Sequence, residues 1–147
     1  MKITSPAFKN NSQIPAKYSC DGRNINPEFD ISDLPKGVKS LVLIIDDPDS
    51  LSETWVHWIL FNIDPKTNKI RENSIPNKAV QGLNSWRKNE YNGPCPKSGT
   101  HKYMFKLYAL NKILDLNQGA YKGDVEKAMK GCILAKAQMI GLYSRGQ

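Results

Sequence analysis

Residues 40–63 read SLVLIIDDPDSLSETWVHWILFNI, two apolar runs joined by a short polar turn. Ser40 to Asp46 is an almost unbroken series of branched apolar residues, the pattern of a strand covered on both faces. Asp47-Pro48-Asp49 interrupts it, because proline removes a backbone donor and aspartate side chains cap their own turns. From Trp55 onward a period of two puts Trp55, His57, Ile59, Phe61 and Ile63 on one face of a strand, with Val56, Trp58 and Leu60 on the other. A second stretch, GPCPKSGTHKYMFKLYAL from Gly93 to Leu110, is built the same way. It aligns His101, Tyr103, Phe105, Leu107 and Ala109 opposite Met104, Tyr108 and Leu110. Both strands are apolar on both faces, which predicts central positions in a sheet. Between them they carry both histidines of the chain.

Outward from these segments, turn signals recur through the first two-thirds of the chain. Ser5-Pro6, Asp21-Gly22, Asn26-Pro27, Pro35-Lys36-Gly37, Asp64-Pro65 and Gly93-Pro94 separate short apolar or alternating pieces, the pattern of an antiparallel β protein. The stretch from Asp124 to Tyr143 reads differently. Val125, Ala128, Met129, Cys132 and Ile133 recur at helical spacing, Asp124 is a suitable N-cap, and Gly131 is placed to kink or break the helix. The expected architecture is mainly β, an antiparallel β-sandwich with one or two C-terminal helices. At 147 residues, with no repeat or linker-like tract, the chain is expected to form a single domain over 1–147.

The formal net charge of +7 allows attraction to phosphorylated ligands, anionic lipid or nucleic acid. Basic residues are scattered, with no run of more than two, so nucleic acid is not an expected partner. Leu41 to Ile45 is too short to span a bilayer, so no transmembrane segment is expected. The N-terminus MKITSPAFKN lacks the apolar core of a secretion signal, which points to the cytoplasm. Cys20, Cys95 and Cys132 are odd in number and form no CxxC pair, so three reduced thiols are expected. Apolar content suffices for a homodimer patch, but nothing localises one.

The chemistry lies at the strand ends. If the strands are neighbours, Asp47 and Asp49, His57 and Trp55, and His101 and Tyr103 converge beside the loop Gly93-Pro94-Cys95-Pro96. A carboxylate beside an imidazole favours the protonated ring, and such a ring beside backbone N–H groups suits a phosphate or carboxylate oxygen. Each motif alone has a plainer reading: a strand histidine packed in the core, an Asp-Pro-Asp turn, a tight Gly-Pro loop. Their shared placement beside Pro/Gly turns favours a site. Two histidines and two aspartates also form an adequate set for Zn²⁺ or Fe²⁺, but the HxH, HxxxH and HExxH spacings are absent, so no metal or other cofactor is expected. A Cys95–His101 nucleophilic dyad is weaker still, since no helix N-terminus lowers the thiol pKa.

Five stretches together resemble the phosphatidylethanolamine-binding protein family, also called the Raf kinase inhibitor protein family, in its short bacterial and archaeal branch. They are YSCDGRNINPEF (18–29), SLVLIIDDPDS (40–50), TWVHWILFNI (54–63), NGPCPKSGTHKYMFKLYAL (92–110) and AKAQMIGLY (135–143). The resemblance implies a β-sandwich with a small anion-binding cleft at one end. It carries that cleft onto Asp47, Asp49, Trp55, His57, Gly93, Pro94, Cys95, Pro96, His101 and Tyr103. It further implies a phosphate-type head group or other small anion as ligand, binding without turnover, and a kinase or serine protease as a protein partner. Protease inhibition through an exposed loop is the alternative function; a metal- or acid/base-dependent hydrolase ranks below both. Two departures bear on the ligand: Leu51 replaces a proline of the usual DPDAP, and Lys97 stands where a proline follows GPCP, adding charge near the cleft mouth.

Overall fold

The computed structural model describes residues 1–146 and consists of two sheets over a shared core. The strands are β1 (Lys2–Thr4), β2 (Ser12–Gln13), β3 (Phe29–Ser32), β4 (Ser40–Asp47), β5 (Trp55–Ile63), β6 (Lys69–Ile70), β7 (Val80–Gln81), β8 (His101–Leu110) and β9 (Ile133–Tyr143), with one helix, α1 (Lys122–Met129), before β9. The smaller sheet has the order β1-β3-β6 and the larger β2-β9-β8-β4-β5-β7. All pairings are antiparallel except the short β2–β9 contact, which is parallel. Phe29 and Ile31 of the small sheet share a core with Leu41, Leu43 and Ile45 of β4 and Phe105 and Leu107 of β8. A second cluster on the far side of the large sheet packs Val42 and Ile44 against Val125 and Met129 of α1. Every residue of β4 is buried, as its unbroken apolar run requires.

The simple alternation expected for β5 is broken twice. Ile45 pairs with Trp58 but Asp46 with Val56, so His57 is an extra residue in a bulge. Val56 therefore joins Ile59 and Phe61 on the α1 side, while Trp58 and Leu60 face the inter-sheet core. A second irregularity lies opposite Leu41–Leu43 and includes Asn62 at φ +56°; it returns Ile63 to the inter-sheet core. Asn62 holds this shape by bonding both the carbonyl (2.9 Å) and the amide (2.8 Å) of Leu114. His57 thus shares no face with Ile59 and Phe61, contrary to the period-two expectation.

The helix expected over Asp124 to Tyr143 is confined to its first part. Asp124 lies at the third helical position rather than at the N-cap, where its Oδ2 accepts the Tyr121 amide at 2.9 Å. Gly131, at φ +77°, ends the turn, and the chain continues as β9 rather than as helix. Residues 133–143 alternate after all: Ala135, Ala137, Met139 and Tyr143 pack inward while Lys136 and Gln138 do not. Helix α1 is fastened to the sheet by Lys122, whose Nζ lies 2.8 Å from Asp46 Oδ2, joined by Lys106 at 3.0 Å. Asp46 is fully buried, so both ammonium groups compensate a carboxylate that has left water.

Candidate functional site

Consecutive strand residues face opposite ways, so Asp46 points beneath α1 and Asp47 points to the end of the inter-sheet layer. There a cavity of about 540 Å³ opens. Asp47, Trp55, His57, His101 and Tyr103 line it, together with Gly93, Cys95 and Pro96 of the loop before β8. Asp49 and Pro94 of the expected set do not. Asp49 serves the frame: its amide donates to Asp47 Oδ1 at 2.8 Å and its Oδ2 accepts the Lys102 amide at 2.8 Å, tying the turn to β8. Pro94 contributes its carbonyl, which accepts the Cys20 amide at 3.0 Å.

Each imidazole is oriented through Nδ1. His101 Nδ1 donates to Asp47 Oδ2 at 2.7 Å, which uses the second oxygen of that carboxylate. His57 Nδ1 donates to the Asn92 carbonyl at 2.6 Å. Tyr103 stands between the rings, with centroids 5.2 Å from His57 and 6.4 Å from His101. Its hydroxyl is buried and has no hydrogen-bond partner among the described residues. The Cys95 amide approaches the phenol oxygen, yet that contact leaves the phenol's own proton without an acceptor. Burial, reinforced by the charge of Asp47, drives the Tyr103 pKa upward, so the group stays a donor.

His57 is 3% exposed. Burial pushes its pKa below the ordinary imidazole value, against the opposing pull of the Asn92 carbonyl and the Asp47 and Asp46 carboxylates. Because the folded ring binds a proton less readily than the unfolded one, the unfolded chain gains protons first as pH falls. Stability of the ligand-free protein therefore drops below about pH 6.5, by up to about 1.4 kcal/mol per pH unit until the folded ring itself protonates. Urea unfolding at about pH 7.5, 6.5 and 5.5 checks this, since His57→Asn flattens the slope if the ring is its source.

Several lining groups escaped the sequence reading. Trp86 meets Trp55 edge-on at 5.5 Å and His57 at 5.1 Å. Asn92, Asn24 and Cys20 complete the wall, and Lys97 lies at the cavity as its position suggested. Trp86 and Asn92 share one organiser, the buried Asn84. Its amide nitrogen donates to Glu90 O and Asn92 Oδ1, both at 2.8 Å, and its oxygen accepts the Trp86 and Lys88 amides. An Asn in a turn was visible in the sequence, but its reach across eight residues was not.

The cysteine expectation fails for two of three. Cys20 and Cys95 form a disulfide, with Cα atoms 5.5 Å apart, and only Cys132 is a free thiol. Counting and spacing cannot reveal a bond between residues 75 apart. The fold makes it by laying residues 18–24 along the pocket loop. Tyr91 Oη donates to Tyr18 O at 2.6 Å and the Gly93 amide to Asn24 Oδ1 at 2.7 Å. Among the described residues no group of three or more His, Cys, Asp or Glu side chains is placed to hold a metal ion, and no helix is long and apolar enough to cross a membrane.

Two sheets of this order over a shared core define a class of small β-rich proteins, and solved structures share this chain's fold. A phosphatidylethanolamine-binding protein homolog from Chlamydia trachomatis superposes with a TM-score of 0.94 at 40% identity, over 98% of this chain and 97% of that one. E. coli YbcL, described as a member of the mammalian family of such proteins, superposes with a TM-score of 0.91 at 26% identity over 97% of each chain. The family model for phosphatidylethanolamine-binding protein matches residues 4–144, and the chain belongs to that family. Among related sequences, the UPF0098 protein of Methanothermobacter thermautotrophicus is 46% identical over 99% of this chain and 100% of its own, and that of Aquifex aeolicus is 43% identical over 99% and 89%.

Proposed function

We propose that the chain is a binding protein, its two sheets packed as a sandwich, that holds a small oxyanion such as a phosphate head group between His57 and His101 and releases it unchanged. The buried Tyr103 hydroxyl carries this reading: a phenol proton with no acceptor, inside a cavity, between two imidazoles. A buried donor left unmade costs about 1–3 kcal/mol, and an anionic oxygen removes that cost. Lys97 adds positive charge at the cavity, while Asp47 spends both oxygens on Asp49 and His101 and so meets a ligand only through the imidazole. Release without turnover is supported by the state of two groups that could otherwise attack a ligand. Cys95 is tied in a disulfide and burial keeps the Tyr103 phenol protonated.

Ligand that binds only the folded chain stabilises it by about 2.7 kcal/mol at a hundred times Kd. For a domain of this size that raises the melting temperature by roughly 5–10 °C. Phosphoethanolamine and inorganic phosphate at millimolar concentrations are expected to give this shift, and Tyr103→Phe and His101→Ala to reduce it. No shift in the parent protein with either ligand would reject the reading. Release of phosphate from phosphomonoesters at a rate that follows protein concentration would reject the claim of binding without turnover.

A further inference from the structure

The anion-binding reading has a consequence for protons, and the inference drawn from it rests on that reading. Both imidazoles spend Nδ1 on groups that only accept: His57 on the Asn92 carbonyl and His101 on the Asp47 carboxylate. A ring whose single proton sits on Nδ1 carries a lone pair on Nε2. Nε2 is the nitrogen that each ring has left for a ligand. At His57, where burial disfavours the charged ring, a fully deprotonated oxyanion entering the cavity therefore meets a lone pair rather than a donor. We infer that the cavity takes up its anion together with a proton, either carried by the ligand as a hydrogen phosphate monoester or drawn from water onto an imidazole.

The groups facing these rings are few. Strand β4 offers Asp47, with Asp46 on its opposite side, and the turn after it offers Asp49, which is held by the Lys102 amide. Strand β8 offers Tyr103, and the loop before it Lys97. The carboxylates favour a proton on His57 and its burial opposes one, with burial the larger influence. In the empty site His57 thus lacks the proton that an anion beside its Nε2 requires. Trp86, edge-on to His57, and the Trp55 beside it wall off this side of the cavity, so no charged group of that wall takes over the role.

Titration calorimetry on the unmodified protein tests this with sodium sulfate and ethyl phosphate, from about pH 5 to about pH 8.5, in buffers of different ionisation enthalpy. Uptake of about one proton weakens binding about tenfold per pH unit across the upper half of this range and makes the observed heat depend on the buffer. If the proton comes from water onto a ring, sulfate and ethyl phosphate show the same uptake and affinities within about threefold of each other. If it rides on the ligand, uptake of protons with ethyl phosphate disappears below its second pKa of about 6, and sulfate binds at least about tenfold more weakly there. Either pattern supports the inference. Affinities independent of pH for both anions, with heats independent of buffer, would overturn it while leaving anion binding intact. Failure of both anions to bind would overturn the anion-binding reading and this inference with it. His57→Asn, which puts a permanent amide donor in the cavity, is expected to shallow the pH dependence for sulfate, and an unchanged slope would exclude His57 as the acceptor of the proton.

Discussion

Replacing Cys20 and Cys95 by serine is expected to destabilise the protein by about 4 kcal/mol and to lower its melting temperature by roughly 10–15 °C. The bond closes a loop spanning 75 residues, which includes β3, β4, β5, β6 and β7, so the open chain regains much conformational freedom on unfolding. Its loss also acts locally, because both half-cystines line the cavity and one of them lies between two prolines of the pocket loop. Scanning calorimetry with and without a dithiol reductant reads the effect in the unmodified protein, and the double serine variant reads it free of reductant. Cys132→Ser supplies the control, with a change of no more than about 0.5 kcal/mol expected for a half-buried thiol outside the site. If reduction moves the melting temperature by less than about 3 °C, the hydrogen bonds from Tyr91 and Gly93 hold the loop without the covalent tie.

Gly93→Ala is expected to cost about 2–4 kcal/mol and to abolish anion binding, a large effect for one added methyl group. A Cβ at this position would stand 2.0 Å from the Tyr18 carbonyl oxygen and 2.9 Å from its carbon, both main-chain atoms. Neither can swing aside as a side chain does. The pocket loop must therefore move off residues 18–24, breaking the Gly93–Asn24 bond and carrying with it Asn92, whose carbonyl orients His57. Gly99→Ala separates steric from conformational effects. There φ is +70° but nothing lies within 4 Å of the added carbon, so the expected cost is only the roughly 1–2 kcal/mol of a left-handed residue, with anion binding kept. Denaturant midpoints and phosphate titrations of the two variants decide the matter. Equal binding by Gly93→Ala and the parent would show that the close approach of loop and segment is dispensable.

Much of the architecture was legible because β4 and β8 follow simple rules. The run SLVLIID is apolar on both faces since the strand lies between β5 and β8 with a core on each side. Tyr103, Phe105, Leu107 and Ala109 share a face as their spacing required. The β5 faces were misread because a bulge adds a residue with no mark in composition. His57 looks like any strand residue until its partner register is known. At the C-terminal end, Val125 and Met129 do obey helical spacing, and Gly131 was the correct place to suspect a break. The alternation from Ala135 to Tyr143 was present but was overshadowed by Cys132 and Ile133, which continue the helical period by coincidence.

For the site, the strand-borne members (Asp47, Trp55, His57, His101 and Tyr103) were accessible to reasoning from sequence, because a turn followed by a strand places them at one end of a sheet. Those that were missed come from connections without a period. Trp86 reaches His57 through the turn that Asn84 ties, and Cys20 reaches Cys95 through residues that lack regular structure apart from one short 3₁₀ turn. Such contacts depend on the path of the whole chain, so short-range pattern carries no trace of them.

The placement of β4 between β5 and β8 has a consequence at the ribosome. Ser40 pairs with Leu110 and Asp46 with Met104, so one edge of β4 finds its partner only after the chain through Leu110 has been made. At roughly 5–20 residues per second, the apolar hairpin of β4 and β5 waits on the order of seconds with that edge unpaired. During this interval SLVLII is a bare strand edge of high β propensity, the kind of surface that chaperones cover and that drives self-association when they do not. The exposure of this edge to self-association thus ends only when β8 has been made and pairs with it.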